Sequence, residues 1–314
     1  MASRDRIYRY NIFGTVISSS IPLSGLGSAS LDGNGESEAE IVVVQRDALR
    51  GTADPSGDGT EVYTDPSQGL RIHRLDDGFA LQHHDIGRLR TGANRIAVSP
   101  EETADRKDIE WLVTNLGLRL VFIQRGNVVF HASGVVVDES LVAFTGPSGR
   151  GKSTLAAACY AADHTHHSDD LVPIVLSEPG EKRLVPPGPA RMRVNDDVNR
   201  ALQLSPPGRT PGDAKSIIDT SNRHSSSPRE LDVLYVIEGG DEIAIEQLST
   251  HDAVFEILRR SYALYRNSDS ESSGEHLNAC GTVARSVDVR RLSRPRSFQH
   301  LDRLVAAIER DVSG

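Results

Sequence analysis

The chain reads as an α/β protein in two parts, a small β-rich lobe over residues 1–104 and a mixed sheet-and-helix domain over 105–314. Three observations carry that reading. The first hundred residues set short β-branched runs between clusters of Gly, Pro, Asp and Ser. At Asp105 the apolar spacing changes to that of a helix. Between Leu141 and Ala162 a strand, a glycine loop and a helix follow one another without interruption.

In the lobe, Tyr8 to Ser18 alternates loosely, and Ile41-Val42-Val43-Val44 is a β-branched burst. Leu70 to Leu75 and Ile96 to Val98 are further strands, with loops at Gly33 to Gly35 and Gly51 to Gly59. From Asp105 to Gln124, Ile109, Leu112, Val113, Leu116 and Leu120 share one helical face, and Gly126-Asn127 ends the helix. Val128 to Val137 reads as one strand, joined at Asp138-Glu139-Ser140 to the strand Leu141 to Thr145. Residues 186–230 are rich in Pro, Gly, Ser and charge, a span too long for an ordinary connection and hence functional or mobile. Strands at Leu231 to Ile237 and Glu242 to Leu248 precede a helix from His251 to Tyr265. Asn267 to Gly281 reads as a polar loop, Val283 to Leu292 as a last strand and Phe298 to Val312 as a last helix.

The bulk properties narrow the function. With 35 basic against 44 acidic side chains the net charge is −9, which argues against a general nucleic-acid binder. Cys159 and Cys280 are the two cysteines, too few for a disulfide framework and in keeping with a reducing compartment. No apolar stretch follows the first residues as in a signal peptide, and none approaches the ~18 residues of a membrane span. A cytoplasmic protein is expected.

The glycine loop carries the chemistry. Gly146-Pro147-Ser148-Gly149-Arg150-Gly151-Lys152-Ser153-Thr154 completes the G-x-x-x-x-G-K-[ST] pattern (the Walker A motif) in the strand-to-helix context it requires. Glycines let successive backbone N–H groups turn inward around a polyphosphate, and the helix N-terminus adds partial positive charge. Lys152 supplies a point charge for the β- and γ-phosphates, and the Ser153 hydroxyl can ligate Mg²⁺. The ligand expected is a nucleoside triphosphate, ATP or GTP.

Ser168-Asp169-Asp170 supplies the other half of a site, with Asp169 seventeen positions beyond Lys152. Side chains of adjacent residues in an extended chain point to opposite sides, so one carboxylate can face Mg²⁺ and the other an attacking group. Taken singly, His131 reads more readily as a satisfied core residue than as a catalyst. The run from His164 to Leu176 reads as a strand that delivers the two aspartates, followed by another strand. Its His164, His166 and His167, with no cysteine or second ligand pair nearby, read as a polar turn rather than a metal site.

His131-Ala132-Ser133-Gly134, the loop Gly146 to Ser153 and Asp169-Asp170 together resemble the catalytic domain of bacterial HPr kinase/phosphorylase, with spacings that fit without gaps. The likeness is strong over about residues 128–176 and weak over the rest of the C-terminal half. Tyr10-Asn11-Ile12-Phe13-Gly14 with Pro22-Leu23 is similar to the openings of HPr-kinase-like proteins of peptide-modification clusters, some of which phosphorylate a serine of a lasso-peptide precursor. The resemblance implies a phosphoenolpyruvate-carboxykinase-like phosphate-loop fold. It also implies catalytic roles for Asp169 as base, Lys152 and His131, with Ser153 and Asp170 holding Mg²⁺. Sequence does not decide which aspartate faces which side. Family members assemble as hexamers, so a homo-oligomer is compatible with the likeness.

The departures matter as well. Thr154 stands where HPr kinases carry Glu, and Ala190-Arg191-Met192-Arg193 lacks the Glu of their downstream signature. They argue against HPr itself as acceptor and against the reverse phosphorylase activity. Arg191, Arg193 and Lys215 remain as cations that could stabilise a transferred phosphoryl group.

The leading expectation is a Mg²⁺- and ATP-dependent serine kinase acting on a protein or peptide, with neither nucleic acid nor membrane as partner. The alternatives are a small-molecule kinase on the same fold and a nucleotide-binding regulatory or assembly protein without phosphotransfer. A pure binder needs no base, so the paired acids favour transfer.

Overall fold

The computed structural model describes residues 7–26, 30–31, 41–45, 59–176, 183–204, 215–263 and 270–314. They fall into two compact units, one of residues 1–127 with 263–276, the other of 128–262 with 277–314.

The first unit is built on a nine-stranded sheet. Its strands are β1 (Tyr8–Ile12), β2 (Thr15–Ser19), β3 (Ser30–Leu31), β4 (Ile41–Gln45), β5 (Thr60–Asp65), β6 (Leu70–Leu75), β7 (Gly78–His83), β8 (Gly87–Gly92) and β9 (Arg95–Pro100). Their order is β3-β1-β2-β4-β9-β8-β7-β6-β5. From β5 to β9 the strands form an antiparallel meander, while β4 runs parallel to both β2 and β9. The loops expected at Gly33 to Gly35 and over 51–58 lie outside the described residues.

Helix α1 starts where the spacing predicts, because the Asp105 carboxylate accepts from the backbone N–H groups of Lys107 and Asp108 at 2.7 and 3.0 Å. It runs Arg106–Trp111, widens into a π segment at Leu112–Gly117 and continues as Leu118–Gln124. At Gly117 an added Cβ would lie 3.1 to 3.3 Å from Leu89 and Ile96, so the missing side chain lets helix and sheet close up. Gly126, at φ 77°, ends the helix.

The second unit is a mixed sheet with helices on both faces. Its elements are β10 (Val128–Phe130), β11 (Ala132–Val137), β12 (Ser140–Thr145), α2 (Lys152–Ala161), β13 (Thr165–Ser168), β14 (Val172–Ile174), β15 (Leu184–Val185), β16 (Arg191–Asn195), α3 (Asp196–Leu202) and β17 (Lys215–Asp219). They continue with β18 (Arg229–Gly239), β19 (Ala244–Gln247), α4 (Thr250–Arg260), the part of α5 (Ser270–Ser286) from Leu277 on, β20 (Asp288–Arg294) and α6 (Leu301–Ser313). The main sheet has the order β13-β11-β12-β18-β20-β19. β12, β18 and β20 are parallel, whereas β11 is antiparallel to β12 and β13 to β11. The C-terminal ends of β12, β13 and β20 and the start of β11 therefore meet at one edge. The glycine loop, His131 and the two acids lie along it.

β12 is apolar on both sides, as expected of a strand covered on both faces. Leu141 and Ala143 join the core under Ala253 and Ile257 of α4 and Cys280 and Val283 of α5. Val142 and Phe144 join the opposite core under Leu155 and Cys159 of α2 and Leu304 and Ile308 of α6. The two-residue turn from β11 to β12 puts Asp138 and Glu139 at φ 44° and 71°, the hand a tight hairpin needs.

Four sequence expectations change. The single strand over 128–137 is broken at His131, where the chain passes from pairing with β14 to pairing with β12 and β13. Of the two readings of His164 to His167, strand and polar turn, the strand holds: His166 and His167 are fully buried in β13, which pairs with β11. The span 186–230 holds β16, α3 and β17, with Met192, Val194 and Ile218 packed against Ala157 and Tyr160; residues 205–214 lie outside the described ones. The loop expected over 267–281 is helix from Ser270, because Cys280, Val283, Ala284 and Val287 bury at helical spacing and override a Ser- and Gly-rich sequence. Strand β20 consequently begins at Asp288, not Val283. No helix among the described residues is long and apolar enough to cross a membrane.

Candidate active site

A cavity of about 520 Å³ opens at the shared sheet edge. It is lined by Ser148, Gly149, Gly151, Lys152, Ser153 and Thr154 of the glycine loop, by His131 and Asp170, by Arg193 and Lys215, and by Arg294 to Phe298 without Pro295.

The loop's glycines stand where other residues would be strained. Gly146, Gly149 and Gly151 have φ of 154°, 74° and 88°, and Gly151 is the N-cap of α2. Lys152 curls back over the loop, donating to the carbonyl oxygens of Gly146 at 3.1 Å and Pro147 at 3.4 Å. Burial depresses its pKa, and the charges of Asp170 and Asp169 work against that shift.

Asp169 and Asp170 follow the end of β13, and Asp170 takes a left-handed conformation at φ 66°. The two carboxylates thus diverge through a turn, not through the extended backbone that sequence suggested. Asp169 is 9% exposed. Its Oδ1 accepts from Ser133 Oγ at 2.6 Å and Ser153 Oγ at 3.2 Å, and its Oδ2 from the Arg193 backbone N–H at 2.9 Å. Burial and then the Asp170 charge push its pKa up to about 6, with Arg193 N–H, Ser133 and Lys215 pulling the other way. Asp170, by contrast, lines the cavity. Beside it, His131 Nδ1 donates to the Asp170 carbonyl oxygen at 3.0 Å and lies 3.8 Å from its carboxylate.

Of the sequence-predicted groups, His131, most of the glycine loop from Ser148 to Thr154 and Asp170 line one cavity, while Gly146, Pro147, Arg150 and the buried Asp169 do not. In detail, the Ser153 hydroxyl bonds to Asp169, whereas the resemblance paired it with Asp170. Of the three cations singled out, Arg193 and Lys215 line the cavity and Arg191 does not. Ser133, Arg294, Arg296 and Phe298 were missed. Ser133 had a signal, two positions from His131 on a strand beside the loop strand. Arg294 had one too, as the end of a strand that could be expected to run parallel to β12.

A ring of hydroxyl and carboxylate oxygens, Ser133, Ser153 and Asp169, is a hard donor set that suits Mg²⁺, which takes one or two carboxylates and keeps several waters. Among the described residues no group of three or more His, Cys, Asp or Glu is placed to hold a metal. His166 Nδ1 instead lies 3.1 Å from His224 Nδ1 and 2.9 Å from Thr220 Oγ1, and His167 Nε2 donates to the Val185 carbonyl oxygen at 3.0 Å.

An α/β sheet gathers a glycine loop, a buried lysine and two acids at one edge. The comparisons with known proteins add little beyond it. No family model matches the chain, and no curated protein does. Among solved structures it is similar to the HPr(Ser) kinase/phosphatase from Coxiella burnetii, at 16% identity over 59% of this chain and 99% of that one, with a TM-score of 0.31. A superposition that loose carries no argument about this chain.

Proposed function

We propose that the protein is a Mg²⁺-dependent nucleoside triphosphate kinase that transfers the γ-phosphoryl group to a serine hydroxyl of a protein or peptide. The observation that carries this reading is the division of labour between two neighbouring acids on a cavity walled by the glycine loop. Asp169 has both oxygens engaged and faces Ser153. Asp170 faces the open cavity with His131 at its side.

That division exchanges the roles implied by the resemblance. The raised pKa of Asp169 alone would fit a base, but its oxygens are occupied and it is sealed from an incoming hydroxyl. Asp169 with Ser153 therefore forms the metal side, and Asp170 the acceptor side. When bound, Mg²⁺ would neutralise charge on the phosphate oxygens. The loop N–H groups and Lys152 hold the triphosphate. Asp170 accepts the serine hydroxyl proton as that oxygen attacks phosphorus and the bond to the bridging oxygen breaks, leaving the diphosphate. His131 fixes the turn that presents Asp170. Arg193 and Lys215 face the transferred group with positive charge, so most of the rate gain comes from positioning and electrostatics.

Release of diphosphate from γ-labelled ATP with and without Ser-containing peptides tests this, followed by mapping of the label. Acceptor-dependent release with label on serine supports the kinase. Tight nucleotide binding with no acceptor-dependent release would replace it with a nucleotide-binding regulatory protein.

A further inference from the structure

The cavity has two flanks. The sheet order sets β13 and β11, bearing Asp169, Asp170 and His131, on one side of β12, and β18 and β20 on the other. The segment after β20, Arg294 to Phe298, forms the second flank. Its position is fixed against the glycine loop: Arg294 Nη2 donates to the Arg150 carbonyl oxygen at 2.7 Å, and it lies 2.0 Å from where a Cβ on Gly151 would stand. Among the described residues Arg294 pairs with no carboxylate; its other bond is to the Pro295 carbonyl oxygen. Arg296 lies close enough that its charge, after burial, depresses the Arg294 pKa. Two like charges on one short segment suit an anion.

Phe298 ends this flank. It is 43% exposed, whereas Leu301, Leu304, Val305 and Ile308 of the helix that follows are all buried. The core does not use its ring. The turn that holds it is capped, since Ser297 Oγ accepts from the Gln299 backbone N–H at 3.3 Å.

In an in-line transfer the attacking and leaving oxygens lie on opposite sides of phosphorus. With the acceptor at Asp170, the leaving diphosphate and its nucleoside extend toward the β20 flank. We propose that Phe298 is the platform on which the base of the nucleoside triphosphate stacks, with Arg296 beside it and Arg294 locking this shelf to the glycine loop. A π-face with a guanidinium next to it is a common and tolerant base-binding surface. The inference rests on the phosphate-loop reading above.

Binding of Mg²⁺ complexes of ATP, GTP and inorganic tripolyphosphate separates the two readings, because tripolyphosphate has no base. Wild type should bind all three. Phe298→Ala should weaken ATP and GTP by about ten- to hundredfold and leave tripolyphosphate unchanged, and Phe298→Tyr should restore the nucleotides. Equal weakening of nucleotide and tripolyphosphate, or no weakening of either, overturns the shelf while keeping the phosphate loop. Failure of wild type to bind tripolyphosphate or nucleotide overturns both.

Discussion

Ser153 Oγ lies 3.2 Å from Asp169 Oδ1, so the first hydroxyl of helix α2 and the acid at the end of β13 share one polar knot. Ser133 Oγ joins it, 2.6 Å from the same carboxylate oxygen and 3.5 Å from Ser153 Oγ. Asp170, the next residue, takes no part in these bonds.

Asp169→Asn and Asp170→Asn should therefore fail differently. Asp169→Asn removes the charge beside Ser153 and should weaken Mg²⁺-dependent nucleotide binding about tenfold or more. Asp170→Asn should leave nucleotide affinity within about twofold and lower kcat about 10²–10⁴-fold, as for loss of a general base. Titration calorimetry and initial rates decide it. The opposite pattern would restore the roles implied by the resemblance.

Lys152 is buried against the loop it serves, with its ammonium on two backbone carbonyl oxygens. It also lines the cavity. Lys152→Ala should lower turnover by about 10²–10³-fold or more, the scale for removing one preorganised charge. The far-ultraviolet dichroism should stay as in wild type. Near-normal turnover would remove the loop from the mechanism.

The loop glycines offer a graded test. At Gly149, with φ 74°, an added Cβ meets nothing within 4 Å, so Gly149→Ala carries only the left-handed backbone cost of about 1–2 kcal/mol. At Gly151, with φ 88°, the Cβ would also collide with the Arg294 guanidinium. Gly151→Ala should lower the urea midpoint more than Gly149→Ala does. Equal shifts would mean that Arg294 yields without cost.

Which of these features could be read from sequence follows from what each depends on. The loop, its flanking strand and helix, and the Asp105 cap are local, set by residues a few positions apart. The divergence of Asp169 and Asp170 is not. It depends on a left-handed Asp170 that no composition rule requires of an aspartate. The broken strand at His131 and the helix over Ser270–Ser286 arise from partners far along the chain, and the Ser- and Gly-rich start of that helix argues against it locally. Phe298 is hidden in the sequence for another reason. It sits at the head of an amphipathic helix, where an aromatic residue reads as core.

The buried histidines should make the fold acid-sensitive. His166 and His167 lie next to the acid pair in sequence, and burial is the first cause that lowers both pKa values, His166 well below the usual 6.5 and His167 to about 4. His166 Nε2 and His167 Nδ1 have no hydrogen-bond partner among the described residues. Between about pH 6.5 and 4 the unfolded chain therefore binds protons that the folded chain does not. The stability these groups contribute is present above pH 6.5 and lost as pH falls, by about 2 kcal/mol at pH 5 for His167. Asp169 acts in the opposite direction, because its folded pKa is raised and its protonation as pH falls favours the folded state. The net expectation is a loss of stability between pH 7 and 5, measured as unfolding free energy in urea. Asp169→Asn removes the opposing contribution and should steepen the loss. A stability that is flat or rising over that interval would show that these imidazoles are solvated or charged in the folded protein.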